Sequence, residues 1–167
     1  MLALSVAPSL IAQTQFATDL LAMKPLGYWP LHGNTNDASG QGLNGAPAGR
    51  VTFTGSVGPL GIGAAPAAVF DNSEQSVVSI PISPGSPLNL DTPQPMTLLA
   101  WIRTIRQSPG DMGIVAKYNT ATETGWALLV DNGELGAPSG GGRLALVFVS
   151  AGKLALIVES TISVNDG

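Results

Sequence analysis

The chain of 167 residues contains no cysteine and a single histidine. Without cysteine there is no disulfide framework, no thiolate metal site and no cysteine nucleophile. The absence does not fix a compartment. With His32 alone, a zinc site lacks its usual ligand set, and a Ser-His-Asp triad would need that one histidine in a strand-end loop. His32 therefore reads as a loop residue without a chemical role. Charged residues make up 11% of the chain, against roughly 25% in average globular proteins. Lys and Arg number 7 and Asp and Glu 11, for a net charge of −4. No basic cluster exists, so nucleic acid is not an expected partner. The apolar N-terminal run, residues 1–12 with Leu2, Leu4, Val6, Leu10 and Ile11, falls short of the ~20 residues a spanning helix needs.

What the chain does have is apolar residues and chain breakers. Hydrophobic residues form 44% of it, with 21 Gly and 13 Pro. Its length suits one domain with a core that needs no covalent staples. Low charge with many apolar residues fits either a Ser/Thr/Asn/Gly-rich surface, as in extracellular β proteins, or apolar surface covered by neighbours in an assembly.

Residues 1–13 read as an apolar arm. The run resembles a signal-peptide core, but no Lys or Arg precedes it and Ala7-Pro8-Ser9 is a poor cleavage site. Residues 14–23 read as a short helix, since Ala17, Leu20 and Leu21 fall at helical spacing and Pro25 ends it. Everything beyond reads as β. Gly and Pro punctuate apolar runs at 26–31, 50–54, 67–70, 76–82, 96–104, 113–118, 126–130, 144–149 and 154–159. Several alternate as half-buried strands must: Val78, Ile80 and Ile82 share one face. Residues 136–142, rich in Gly, read as a hairpin loop. Gly140-Gly141-Gly142 lacks the Lys-Ser/Thr and following helix of a phosphate loop.

The segment Tyr28-Trp29-Pro30-Leu31 opens a short apolar strand, and Asn34, Asn36, Asp37, Ser39 and Gly40 then break it. Asn, Asp and Ser bond their own backbone, and Gly permits positive φ. Tyr28-Trp29-Pro30-Leu31, Asp37-Ala38-Ser39-Gly40-Gln41-Gly42-Leu43-Asn44-Gly45, Val69-Phe70-Asp71-Asn72, Met96-Thr97-Leu98-Leu99-Ala100-Trp101-Ile102-Arg103, and Ile114-Val115-Ala116-Lys117 followed by Gly125-Trp126 come in a fixed order. Together they resemble the laminin-G-like domains of bacterial and phage surface proteins. The resemblance implies an all-β, concanavalin A-like jelly-roll sandwich over residues 14–167, preceded by a short helix. In that family a Trp-His-His-Val-Ala strand and two or three further strands usually follow a segment like Ser163-Val164-Asn165-Asp166-Gly167. The last strands are thus expected either from beyond residue 167 or from another chain.

The resemblance points to binding rather than catalysis. Glycoside hydrolysis needs two facing carboxylates at defined separation, and the Glu-x-Asp-x-x-Glu strand of concanavalin A-like glucanases is absent; Glu123, Glu134 and Glu159 are scattered. Calcium is the cofactor to consider, since Asn34, Asn36 and Asp37 cluster hard oxygens and Asp71 lies in the next matching loop. The alternative is an Asx-turn loop with no metal. Trp29, Phe70, Trp101 and Trp126 are expected in the core. Tyr118, beside Asn119 at a strand end, is the aromatic expected to face a ligand. The leading expectation is a non-catalytic extracellular recognition module, glycan-binding or adhesive, at a cell or virion surface. The alternatives are a structural subunit of a filament or virion, and an accessory domain of a secreted hydrolase. The expected partners are a glycan or surface protein, with self-association through the N-terminal arm or the C-terminal strands.

Overall fold

The computed structural model describes residues 8–55, 66–71, 75–86, 88, 95–104, 110–119, 121–133 and 141–164. They form one helix and antiparallel β-sheets. The chain divides into two compact units, Met1–Met96 and Thr97–Gly167.

In the first unit, helix α1 spans Pro8–Ala22. Proline suits a first helical turn because its missing N–H has no partner there anyway. Residues 8–13, read from sequence as part of an arm, therefore belong to the helix. The helix closes with the N–H groups of Met23 and Lys24 on the carbonyls of Leu20 and Leu21, and Lys24 takes a positive φ of 54° before Pro25. Strands β1 (Ala46–Ala48) and β4 (Val77–Ser79) pair with each other, as do β2 (Val51–Thr54) and β3 (Ala67–Phe70). Phe70, expected in the core, is exposed. It ends a two-stranded ribbon, which is too narrow to enclose a phenyl ring. Ile82 is also exposed, while Val78 and Ile80 are half-buried.

The second unit is a four-stranded meander in the order β5 (Met112–Asn119), β6 (Thr124–Asp131), β7 (Arg143–Ser150) and β8 (Lys153–Ser163). The alternation seen in the sequence becomes two faces. One carries the buried Leu129, Ala145 and Val147 with Ala127 and Ile157 packed against them. The other carries Trp126, Leu128 and Val130 opposite Phe148, Leu146 and Leu144. The tight β5–β6 turn places Gly125 against the β5 backbone, where a Cβ would collide with the Lys117 carbonyl. The loop expected at 136–142 lies mostly outside the described residues, but Asp131 and Arg143 pair across it as a hairpin requires.

Residues 96–104 were expected as a strand with Trp101 in the core. Residues 95–104 are extended but join no ladder among the described residues, and Trp101 is 61% exposed. Alternation alone does not bury a side chain; a neighbouring strand must complete the face that covers it. Trp29 and Trp126 are half-buried.

Candidate functional site

The oxygen-rich loop after Trp29 folds around one carboxylate. Leu31 turns the chain with a φ of 57°, a left-handed conformation that leucine rarely adopts. The backbone then doubles back until Ala38 N–H reaches the Tyr28 carbonyl at 2.7 Å and Gly45 N–H reaches that of Thr35 at 2.8 Å. Asp37 lies inside this doubling. Its Oδ1 accepts from the N–H groups of Tyr28 (3.1 Å) and Ser39 (2.8 Å). Its Oδ2 accepts from the Ser39 hydroxyl (2.9 Å) and the Leu43 N–H (3.1 Å). Burial pushes the carboxyl pKa up, but the bonds from Ser39, Tyr28 and Leu43 outweigh it and hold the group at about 2. Thr35, buried, closes the base of the loop by donating to the Gly45 carbonyl at 2.7 Å.

The four residues considered for calcium divide between two places. Asn34 and Asn36 share the Asp37 loop, where Asn34 Oδ1 accepts the Asn36 N–H at 2.9 Å. Asp71 is engaged by Arg50, whose guanidinium sits 3.2 Å from its Oδ2. Among the described residues, no group of three or more His, Cys, Asp or Glu side chains is placed to hold a metal ion. Asn72, which follows Asp71, lies outside the described residues. His32 is exposed in the turn.

Tyr118 and Asn119 end β5. Tyr118 is 53% exposed. Asn119 Oδ1 caps the following turn, accepting the N–H groups of Ala121 (3.0 Å) and Thr122 (3.3 Å), which leaves its amide NH2 as the group that could meet a ligand.

Two features of the second unit depend on strand pairing rather than on local sequence. Asp131, only 1% exposed, ends β6, and its side chain meets that of Glu159 from β8. The meeting spans two strand registers, because Asp131 and Glu159 lie far apart in sequence. The other feature is the edge strand β8, where Leu154, Leu156, Val158 and Ile162 are 49–74% exposed. Its apolar character was visible in the sequence; its edge position was not.

No family model, curated protein or solved structure matches this chain.

Proposed function

We propose that the chain is a non-catalytic recognition module that docks an extended protein segment along β8. The observation that carries the reading is that edge. Four large apolar side chains stand exposed on a strand that is outermost in its sheet among the described residues, where one row of ladder N–H and C=O groups has no partner strand in that sheet. Adding a strand there would satisfy the backbone and cover the side chains together. The occupant would be a strand of a surface protein or of a second copy. That fits an adhesive or filament-forming protein at a cell or virion surface, and the jelly-roll arrangement implied by the ordered motifs belongs to the same reading.

The test is sedimentation velocity across a concentration series, with Leu156→Lys and Ile162→Lys beside the wild-type chain. A charge on an edge strand blocks strand addition. Association or peptide capture by the wild type that either variant abolishes supports the reading. A wild-type chain that stays monomeric, with apolar peptides binding both variants equally, overturns it. A second reading, glycan binding, draws on the exposed Tyr118 ring beside Asn119. It requires a sugar-array signal that Tyr118→Ala removes.

A further inference from the structure

Strand β8 is outermost in its sheet among the described residues, but it does not run evenly along β7. Near the turn, the neighbours Val149 and Phe148 meet Leu154 and Leu156, so Ala155 is an extra residue in β8. At the far end, Ala145 and Arg143 meet Glu159 and Ser163, and β8 again carries more residues than the strand beside it. Between the two slips, Leu156, Ile157, Val158 and Glu159 keep step with Phe148, Val147, Leu146 and Ala145. Bulges of this kind break the alternation of an edge and hinder strand addition there. The part of β8 that can receive a strand is therefore residues 156–159.

The backbone groups that face outward in that run follow from β7. The Leu144 N–H points at β8, where it reaches the Ser160 hydroxyl at 3.1 Å. β7 pairs with β6 without a slip from Arg143 to Val149, so its backbone alternates regularly and Leu146 and Phe148 face β8 as Leu144 does. Ser150 has the same sense, since it lies opposite Lys153 across the two-residue turn of Ala151 and Gly152, with φ of 50° and 69°. Val158 and Leu156 therefore direct their N–H and C=O groups at β7. Ile157 and Glu159 turn theirs away from it. The side chains divide just as clearly. Leu156 and Val158 are exposed, on the face of Phe148 and Leu146, whereas Ile157 and Glu159 are half-buried, on the face of the buried Val147 and Ala145.

We infer that the occupant of β8 is a short segment of another protein, antiparallel to residues 156–159 and to no more of the strand, with apolar side chains opposite Leu156 and Val158 and polar ones opposite Ile157 and Glu159. The inference rests on the docking function proposed above and narrows it. An antiparallel segment exchanges both backbone hydrogen bonds with each outward-facing residue, here Ile157 and Glu159. Its apolar pair covers Leu156 and Val158 at the same time. Leu154 and Ile162, the other exposed residues, lie outside the even run and do not take part. A second copy's β8 is a poorer occupant, because it brings the same two slips. Centred on Ile157, two copies set Glu159 against the extra Ala155; centred on Val158, they set Leu156 against Ser160.

The experiment is an NMR titration of the full chain with the capped peptide Gly-Thr-Val-Thr-Val-Ser. Binding should slow hydrogen exchange at the Ile157 and Glu159 amides and leave the Val158 amide as it was. A peptide N-methylated at either Thr loses an N–H that meets β8 and should bind at least about tenfold more weakly. N-methylation at either Val, whose N–H faces away, should weaken binding by less than about threefold. Leu156→Lys should abolish binding, and Ile162→Lys should preserve it. Should Leu156→Lys fail to fold, the N-methylated peptides on the wild-type chain decide. Binding that tolerates N-methylation at both Thr, or that both Lys variants lose equally, overturns the short ladder and leaves β8 as the docking strand. Self-association through β8 without peptide binding overturns it in favour of a second copy. A chain that neither binds the peptide nor associates overturns the docking function along with it.

Discussion

The Trp29 indole donates its Nε1–H to the Leu43 carbonyl over 2.8 Å. Together with the Leu43 N–H on Asp37, this fixes Leu43 from both of its backbone groups. The indole also lies over Gly27, where a Cβ would collide with the ring. The oxygen-rich loop is thus closed on the segment that precedes it, which the sequence suggested as a strand but which joins no ladder among the described residues, and Asp37 is its centre. Asp37→Ala would leave the N–H groups of Tyr28, Ser39 and Leu43 without their acceptor. Urea unfolding at neutral pH should register a loss of about 1–3 kcal/mol. A loss below about 0.5 kcal/mol would show that water replaces the carboxylate without cost.

The same carboxylate sets an acid response. The Asp37 pKa stands at about 2 against an ordinary 3.8. A depressed pKa contributes stability that is complete above the ordinary value and is lost as pH falls through the folded one. The group is partly exposed, so solvent screening reduces the effect to about 1–2 kcal/mol. Stability should therefore fall between about pH 4 and pH 2. Asp37→Asn should remove that part of the acid slope, as read from unfolding midpoints at each pH.

The strands that were legible in the sequence are those whose alternation meets a partner: β2 to β8 all coincide with apolar runs bounded by Gly, Pro or polar turns. Residues 96–104 carry an equally good pattern and form no ladder among the described residues, because a one-dimensional pattern does not say whether a neighbouring strand exists. Strand β1, Ala46-Pro47-Ala48, was not legible at all; it has no alternation and is defined only by pairing with Val77–Ser79. At the site level, clustered oxygens around Asp37 were visible. What they serve was not, since an Asx loop and a cation loop use the same residue types. The Asp131–Glu159 contact depends on two successive strand registers, which no local feature encodes.

Backbone proximity separates the glycines. At Gly125 a Cβ would meet the Lys117 carbonyl and the Tyr118 backbone, whereas at Gly113 nothing lies within 4 Å. Gly125→Ala must push β5 away from β6, at a cost of about 1–3 kcal/mol. Gly113→Ala should fall within about 0.5 kcal/mol of the parent. Thermal melts of the two variants side by side check the contrast, and equal losses would contradict the tight turn.

Burial separates the large apolar residues in the same way. Leu129 belongs to the buried cluster, and Leu129→Ala should cost about 2–4 kcal/mol. Trp101 is exposed, and Trp101→Ala should cost under about 1 kcal/mol. Its fluorescence should be accessible to acrylamide, so quenching that drops sharply in Trp101→Phe would confirm the exposed ring. A loss above about 3 kcal/mol for Trp101→Ala would place that side chain in a core after all.

Calcium at the Asp37 loop has to compete with protein donors. Both carboxylate oxygens already accept two hydrogen bonds each, and Asn34 Oδ1 is taken by the Asn36 N–H. Calcium needs six to eight oxygen ligands at about 2.3–2.6 Å, so binding would require the loop to surrender some of those bonds. Asp71, the remaining acid of the set, is paired with Arg50. The expected result is that calcium at about one hundred times a sensor-type Kd leaves Tm unchanged, where an occupied site would stabilise the fold by about 2.7 kcal/mol. A calcium-dependent rise in Tm that Asp37→Asn abolishes and Asp71→Asn preserves would instead place the ion on this loop, with the Asp37 oxygens released from Tyr28 or Leu43 to bind it.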